Sequence, residues 1–279
     1  MEKFVAYSVS DVIKFVSEIS ETHQELWFRG QSNADYQLEP SLLRYKKEIL
    51  QTYKREIRYK TPSFKNALNS FKRKSKPFIS YTPQNDFEWM FLMQHYGVPT
   101  RLLDWSTSAL VALYFALNGI INIDEDIDME EGICTFEKTG YSKHGAAIYI
   151  MNPHEINKTS NNIVGILDIS EECDEWKHYL HPSGEFKSNF PICISASHID
   201  KRIRSQSGMF TLHGNRVEPL DWYTALNQLI YKIYIPYQCV KKMKEELKLL
   251  GITASFVFPD LDGLAKEITE DIVDDFHNI

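Results

Sequence analysis

The sequence has few cysteines, no long apolar run and no surplus of positive charge. Its four cysteines are widely spaced and form no CxxC pair, so neither a zinc knuckle nor a disulfide framework is indicated. No stretch of about 18 apolar residues occurs and the N-terminus turns polar at once, so we expect no spanning helix and no signal peptide. The formal net charge of −7 argues against a general nucleic-acid binder, because phosphate contacts need a basic surface. We therefore expect a cytoplasmic protein that does not associate with membranes.

Several common motifs of catalysis are also missing. There is no GxxxxGK[ST] loop, no GxGxxG fingerprint, no HExxH pair and no GxSxG elbow, which argues against P-loop phosphoryl transfer, hydride transfer and zinc hydrolysis. A metal-dependent nuclease is not favoured, because no second carboxylate with a lysine follows Asp104 at the close spacing that such sites use. No metal is therefore expected.

Hydrophobic periodicity predicts helices mixed with strands along the chain. Helices are predicted over residues 11–19, 85–95, 106–117, 241–250 and 260–270, with Ser10 and Asn85 as the first two N-caps. Strands are predicted over residues 25–30, 101–105, 146–151, 191–197, 208–212, 229–235 and 252–258. With no repeat and no linker, this order favours an α+β fold in which a mixed, mostly antiparallel sheet is wrapped by helices.

Two long polar segments have weaker patterns. Residues 41–75 are favourable for helix, with a break near Pro62, and residues 54–76 are rich in Lys and Arg. Residues 124–131 are mostly acidic and have no apolar face, so a surface loop is expected there. Both are ordinary features of a solvated surface.

Charged side chains occur inside two apolar segments. Residues 27–31 read Trp-Phe-Arg-Gly-Gln, with one cation, Arg29, in an aromatic strand. Residues 94–117 contain His95, Arg101 and Asp104 within ten positions, then Ser-Thr-Ser and an apolar helix. Because a buried charge is costly unless it is paired, we expect Arg101 and Asp104 to satisfy each other or a ligand.

These segments resemble the FRG domain family, which is named for a Phe-Arg-Gly triplet that is found here at Phe28, Arg29 and Gly30. The resemblance is dense over residues 25–117 and reappears over residues 204–210 and 250–266. It implies a single FRG domain over residues 1–279. The family name itself implies little about chemistry.

A second, weaker resemblance is to ADP-ribosyltransferases. Some of them carry, in order, a strand with aromatic-Arg-Gly, a Ser-Thr-Ser strand leading into an Ala/Phe-rich helix, and a late strand with a glutamate. Residues 28–30 resemble the first element and residues 106–116 the second, while Gln206 stands in the place of the glutamate. The resemblance implies an ADP-ribosyltransferase-like fold with NAD as the substrate.

Candidate site residues follow from this second resemblance. Arg29, with five fixed donors, is suited to the pyrophosphate or a ribose, and hydroxyls could hold the nicotinamide ribose. An aromatic ring, Tyr96 or Trp105, could stack on the nicotinamide. The candidate catalytic residues are Arg29, Ser106, Gln206 and Asp104. The candidate cofactor-binding residues are Arg29, Gly30, Ser106, Ser108, His95, Tyr96 and Arg101.

The catalytic carboxylate is an open question at this point. Loss of nicotinamide passes through an oxocarbenium-like state, which a carboxylate stabilises. Gln206 is neutral and cannot supply that charge. Either Asp104 or another acid takes this role, or the chain binds a nucleotide without turning it over.

Each candidate also has a structural interpretation. Arg29 could pair with Asp104 in the core, and His95 could be a hydrogen-bonded core histidine rather than a general base. Ser106 could be a helix N-cap, and Gln206 could bond to nearby backbone. His213, like His178, is expected on a surface loop.

Three hypotheses of function remain open. The first is an ADP-ribosyltransferase-like enzyme or NAD glycohydrolase with a toxin or defence role and a protein acceptor. The second is a non-catalytic module that senses a nucleotide or nucleic acid, motivated by Gln206 and by the basic residues 54–76. The third is an interaction scaffold in which the acidic residues 124–131 dock a basic partner.

Overall fold

The computed structural model describes residues 1–51, 56–120, 128–169, 174–180, 190–195 and 206–277, with one large mixed sheet and helices on both of its faces. The strands are β1 (Glu2–Val5), β2 (Trp27–Gln31), β3 (Lys47–Gln51), β4 (Glu56–Lys60), β5 (Leu102–Ser106), β6 (Gly145–Met151), β7 (Leu167–Asp168), β8 (Ile192–Ser195), β9 (Gly208–Leu212) and β10 (Ile230–Pro236). The helices are α1 (Val9–Ser20), α2 (Phe64–Ser75), α3 (Asp86–His95), α4 (Ala109–Asn118), α5 (Met129–Thr139), α6 (Pro153–Asn161), α7 (Thr224–Asn227), α8 (Tyr237–Leu249), α9 (Ala254–Val257) and α10 (Leu261–His277).

The large sheet has eight strands in the order β1-β10-β6-β2-β5-β9-β8-β7. The β1–β10 and β7–β8 pairs are parallel and the other pairs are antiparallel. This confirms the α+β class with a mixed, mostly antiparallel sheet. The more specific description, an ADP-ribosyltransferase-like fold, stays a prediction, as does a single domain over residues 1–279.

The middle of the sheet contains a seam. β2 pairs with β6 along its whole length, and β5 pairs with β9 along its whole length. Between β2 and β5 the register has one pair only, Phe28 opposite Ser106. The sheet is therefore two four-stranded halves joined at one position.

Four apolar clusters hold helices against the sheet, and the smallest packs Phe136 of α5 against Ala147 and Tyr234. On one face, α1, α4 and α8 pack over β2, β6 and β10, and α2 and α3 pack over β5, β8 and β9. On the other face, α6 and α7 cover a cluster that contains Trp27, Trp105 and Tyr149. The alternation of side chains along each strand explains the division, since Leu102 and Leu103 enter clusters on opposite faces.

Local capping explains where the helix next to the seam begins and ends. The Asn85 side chain accepts hydrogen bonds from the N–H groups of Phe87 and Glu88, both at 3.0 Å, as expected for an N-cap. At the other end Gly97 has a φ of 73°, and its N–H donates to the Gln94 carbonyl at 3.0 Å. The predicted helix over residues 85–95 is thus confirmed.

Some predictions of elements are wrong. The helix expected over residues 41–62 is wrong for the part of this range that the structure describes: Leu43–Tyr45 is a single 3-10 turn, and β3 and β4 pair as antiparallel strands. Residues 252–258 contain the short helix α9 instead of a strand, because Ala254 and Val257, spaced for one helix face, are both buried in the core. The N-cap of α1 is Ser8, whose hydroxyl accepts from Asp11 N–H, and not Ser10.

The acidic segment differs in part from the expected loop. Asp128 caps α5, and Glu130 and Glu131 lie in its first turn, where carboxylates favour the helix dipole. Residues 124–127 lie outside the described residues. Among the helices that the structure describes, none is both long and apolar enough to cross a membrane.

Candidate functional site

A cleft of about 420 Å³ lies over the seam between β2 and β5, where the α4 layer and the α3 layer separate. Its lining includes Ala112 and the aromatic residues Phe28, Phe91, Trp105, Phe115, Phe210 and Phe258. Its polar groups include Arg29, Gln31, Ser32, Gln94, His95, Asp104, Ser106 and Gln206. Among the described residues that line it, the cleft thus combines aromatic residues with one guanidinium, that of Arg29, and one carboxylate, that of Asp104.

Gly30 sets the depth of this cleft. A Cβ atom at this position would lie 1.9 Å from the carbonyl oxygen of Ala112 and 2.6 Å from the backbone nitrogen of Ala116, both in α4. No other amino acid fits without moving the helix away from β2. The close approach of strand and helix therefore depends on this glycine.

Arg29 reaches across the seam. Its Nη1 donates to the backbone carbonyl of Asp104 at 2.6 Å and lies 3.7 Å from Oδ2 of the same residue. The side chain is 15% exposed. Burial lowers the pKa of Arg29, and the Asp104 charge offsets part of that shift. Arg29 is thus paired with Asp104, as its structural interpretation held, and it also lines the cleft.

The Arg29 guanidinium also keeps donor capacity for a ligand. Among the described residues, its buried Nε has no hydrogen-bond partner. A buried donor without an acceptor costs roughly 1–3 kcal/mol, and an acceptor supplied by a ligand would remove that cost.

Asp104 is the carboxylate of the cleft. It belongs to β5, and its side chain is 55% exposed. Its Oδ2 accepts a hydrogen bond from Nε2 of Gln94 at 2.8 Å. Gln94 is in turn bonded to Thr100, whose hydroxyl donates to Oε1 at 2.5 Å. The carboxylate is thereby held between β2 and the end of α3.

Ser106 and Gln206 meet at the end of the seam. The Ser106 hydroxyl donates to the backbone carbonyl of Gln206 at 2.7 Å and accepts from Ser108 N–H at 3.0 Å. The Gln206 side chain donates from Nε2 to the Val257 carbonyl at 3.4 Å, which joins the start of β9 to α9. The interpretation of Ser106 as the helix N-cap is wrong, because Ser108 caps α4 by accepting from Val111 N–H.

Three of the candidate binding residues do not line the cleft. Ser108 is the N-cap of α4. Tyr96 is 63% exposed, and its ring is edge-on to that of His95, with 4.8 Å between the centroids. Arg101 is buried and donates to the Gly214 carbonyl, and burial lowers its pKa to about 10. The predicted pairing of Arg101 with Asp104 is therefore wrong.

Three polar lining residues, Gln31, Ser32 and Gln94, were missed by the sequence interpretation. Gln94 lies in the last turn of α3, a helix whose apolar residues indicate only that it packs in the core. Gln31 is 7% exposed, and its Nε2 has no hydrogen-bond partner among the described residues. The sequence did contain a signal for Gln31: it lies two residues after Arg29 in the same strand, so both side chains are on the same face of the sheet.

Metal chemistry has no donor set within the part of the chain that the structure describes. No group of three or more His, Cys, Asp or Glu side chains is placed there to hold an ion. The chemistry of the cleft therefore has to be argued from its guanidinium, carboxylate, amides, hydroxyls and aromatic rings.

Comparison with known proteins identifies part of this architecture. No curated protein and no solved structure matches the chain. A family model described as the FRG domain matches residues 24–124, a range that includes β2, α3, β5 and α4. The chain therefore contains an FRG domain, and this domain contributes the Arg29, Asp104 and Ser106 side of the cleft.

Proposed function

We propose that the cleft binds NAD and that the chain is an ADP-ribosyltransferase-like enzyme or an NAD glycohydrolase. The observation that carries this proposal is the convergence of Arg29, Ser106 and Gln206 on one cleft, together with the carboxylate of Asp104. These residues are distant in sequence and come from the middle of β2, the end of β5 and the turn just before β9. A role as a toxin or defence effector, acting on a protein acceptor, belongs to the same proposal.

The size and lining of the cleft support a nucleotide ligand. A volume of about 420 Å³ is in the usual range for small-molecule sites. The aromatic rings offer flat apolar surfaces for a nicotinamide or adenine ring. The Arg29 guanidinium supplies positive charge for the pyrophosphate.

Asp104 takes the chemical role that Gln206 cannot. When the bond between nicotinamide and ribose breaks, its electron pair leaves with the nicotinamide and positive charge develops on the ribose. The Asp104 carboxylate stabilises that charge electrostatically. Water or an acceptor side chain then forms the new bond to the ribose carbon and loses its proton.

The test is a proton NMR time course of NAD with the purified chain. We expect free nicotinamide to accumulate with the parent protein. With Arg29→Lys, which keeps the charge but loses the planar guanidinium, we expect nicotinamide to accumulate at least tenfold more slowly. Asp104→Asn, which keeps the shape but loses the charge, is expected to cause a similar loss. The matched controls Arg73→Lys and Glu130→Gln change exposed residues of α2 and α5 and should leave the rate unchanged.

The results separate the possibilities clearly. Equal rates for the parent and Asp104→Asn would remove the proposed role of Asp104. A parent that neither releases nicotinamide nor broadens the NAD signals would remove the proposal as a whole.

A second candidate function is a module that binds a nucleotide without turning it over. The neutral amide of Gln206 in the place of the glutamate favours it, as does the pairing of Asp104 with Arg29. Broadened NAD signals without nicotinamide would support this function. The nucleic-acid version predicts affinity that falls steeply with salt, and binding that is absent or independent of salt would exclude it.

A further inference from the structure

We propose that Gln94 and Thr100 are positioning residues that hold the Asp104 carboxylate in the cleft through a hydrogen-bond relay of fixed direction. The relay begins at Leu102 N–H and ends at Asp104 Oδ2. This inference rests on the proposed function for the role of Asp104 toward a ligand, whereas the relay itself is a property of the protein alone.

The direction of each bond follows from the donors available. Leu102 N–H donates to the Thr100 hydroxyl oxygen at 3.0 Å, so the hydroxyl proton is directed elsewhere, to Oε1 of Gln94 at 2.5 Å. The other end of the amide, Nε2, then donates to Asp104 Oδ2 at 2.8 Å. An ionised carboxylate only accepts hydrogen bonds, so a flipped amide would place two oxygens against each other.

The start of the relay is anchored to the backbone. Thr100 is fully buried, its N–H donates to the Ser41 hydroxyl at 3.2 Å, and its carbonyl accepts from Leu42 N–H at 3.0 Å. The turn at Gly97 brings Thr100 back beside Gln94 at the end of α3. The buried end is thus fixed by three segments, while the far end at Asp104 is half exposed.

The relay leaves one carboxylate oxygen for a ligand. Oδ2 accepts from Gln94 and lies 3.7 Å from Arg29 Nη1, so Oδ1 is the oxygen that remains for a group in the cleft. A ligand hydroxyl, or a carbon that develops positive charge, is the complementary chemistry. This matches the ribose of a nucleotide.

Other groups around Asp104 set the conditions for a pH experiment. The charged and titratable neighbours are Arg29 from β2 and His95 from α3, and the neutral amide of Gln206 lines the same cleft from the start of β9. Because the imidazole of His95 lines the same cleft, its contribution has to be controlled separately from that of the carboxylate.

The relay is tested first without any ligand, by NMR of the Gln94 side-chain amide, which is assigned from its disappearance in Gln94→Glu. We expect its proton shift to change as pH is lowered from about 7 to about 3, where carboxylates take up protons. Asp104→Asn should abolish that change. Thr100→Ser should keep the amide signal as in the parent, whereas Thr100→Val should shift it. An amide signal in the parent that does not respond to pH overturns the relay.

The second test uses NAD turnover. Gln94→Glu has nearly the same shape but cannot donate when ionised, so at pH 7.5 we expect about a tenfold loss of rate, the usual scale for a bond to a charged group. As pH falls, a protonated Glu side chain donates to Asp104 as the amide did, and the rate relative to the parent recovers. A merely structural role of Gln94 gives no such recovery.

Controls keep the outcomes distinct. His95→Asn is added to both the parent and the Gln94→Glu variant. If the recovery of the rate at low pH persists without the histidine, it comes from the carboxylates and not from His95. A loss in Gln94→Glu that is constant with pH overturns the positioning role. A pH-responsive Gln94 amide in a parent that does not turn over NAD overturns the proposed enzyme and leaves the relay intact.

Discussion

At the scale of single residues, the Arg29 guanidinium has two partners in one residue, the backbone carbonyl and the side-chain carboxylate of Asp104. Its Nη1 satisfies the backbone carbonyl of Asp104, which faces the seam where β2 and β5 are no longer paired. Its Nε is buried and has no hydrogen-bond partner among the described residues. The cost of burying this cation is offset in part by Asp104, which is why the two residues act as a pair rather than as independent charges.

His213 gives a prediction at the same scale. It is 1% exposed, and burial, with the positive charges of Arg101 and Arg29, lowers its pKa to about 3. In an unfolded chain a histidine titrates near pH 6.5, so protons bind the unfolded state preferentially below that value. The stability present above pH 6.5 is therefore lost as the pH falls toward 3.

The expected size of that loss is about 2 kcal/mol between pH 7 and pH 5. Urea unfolding at both values, with the parent and His213→Asn, measures it, and the variant should lose less on acidification. His154→Asn is the control, since that side chain is 47% exposed. Identical pH dependence in the parent and His213→Asn would contradict the prediction.

The sequence could not have placed His213 or Lys232 correctly. The surface loop expected for His213 is wrong, because it follows β9 directly into the core, with Nε2 3.4 Å from the Thr211 hydroxyl. Lys232 is fully buried and donates to two backbone carbonyls and to the Tyr149 hydroxyl. The surroundings of His213 and Lys232 are formed by segments that are far apart in the chain. The hydrophobic periodicity of the sequence contains no information about such contacts.

At the scale of elements, the contact between β2 and α4 gives the sharpest prediction. Gly30→Ala would place a methyl group against the Ala112 carbonyl, and we expect a loss of about 3 kcal/mol in the free energy of unfolding, as in overpacked cores. Gly97→Ala is the matched control, because an added Cβ there meets no atom within 4 Å and costs only the strain of its positive φ, about 1 kcal/mol. Denaturant unfolding compares the two, and equal losses would contradict a steric role for Gly30.

Elements with strong local signals were predictable from the sequence, and those shaped by distant contacts were not. α3 has its N-cap within the segment and a closing glycine directly after it, and β2 begins with two aromatic residues, Trp27 and Phe28, which favour a strand. By contrast, β3 and β4 form a hairpin in a polar segment that favours helix by composition. A hairpin depends on pairing between strands, which the propensities of single residues do not determine.

At the scale of the whole molecule, the range matched by the FRG family model contains only two strands of the large sheet, β2 and β5. Residues 24–124 include β2 and β5, but β2 pairs with β6 and β5 pairs with β9, and both partners lie later in the chain. Without them, the backbone groups on those edges lose their hydrogen bonds. The FRG segment is therefore the centre of a larger unit.

This gives a third prediction. An isolated fragment of residues 24–124 is expected to remain unfolded, while the full chain folds cooperatively. A proton–nitrogen NMR spectrum of each distinguishes them, with poor dispersion for the fragment and wide dispersion for the full chain. A well-dispersed spectrum from the fragment would show that the seam strands are stable without their outer partners.

The composition of the site was partly predictable at this scale. The ordered motifs selected Arg29, Ser106 and Gln206 as candidate residues but did not show whether the three share a cleft. In the structure all three line one cleft. What the motifs did not contain was the seam itself, or the use of Gln94 and Thr100 beside Asp104. These depend on how the two halves of the sheet meet.

The single backbone pair between Phe28 and Ser106 has a mechanical consequence. Under heat or force, a sheet parts most easily where the fewest hydrogen bonds cross it, and here that line runs directly beneath the cleft. A molecule that contacts Arg29 on one side and Asp104 on the other fastens the two halves together. If a ligand binds there, we expect amide hydrogen exchange in β2 and β5 to slow when the cleft is occupied.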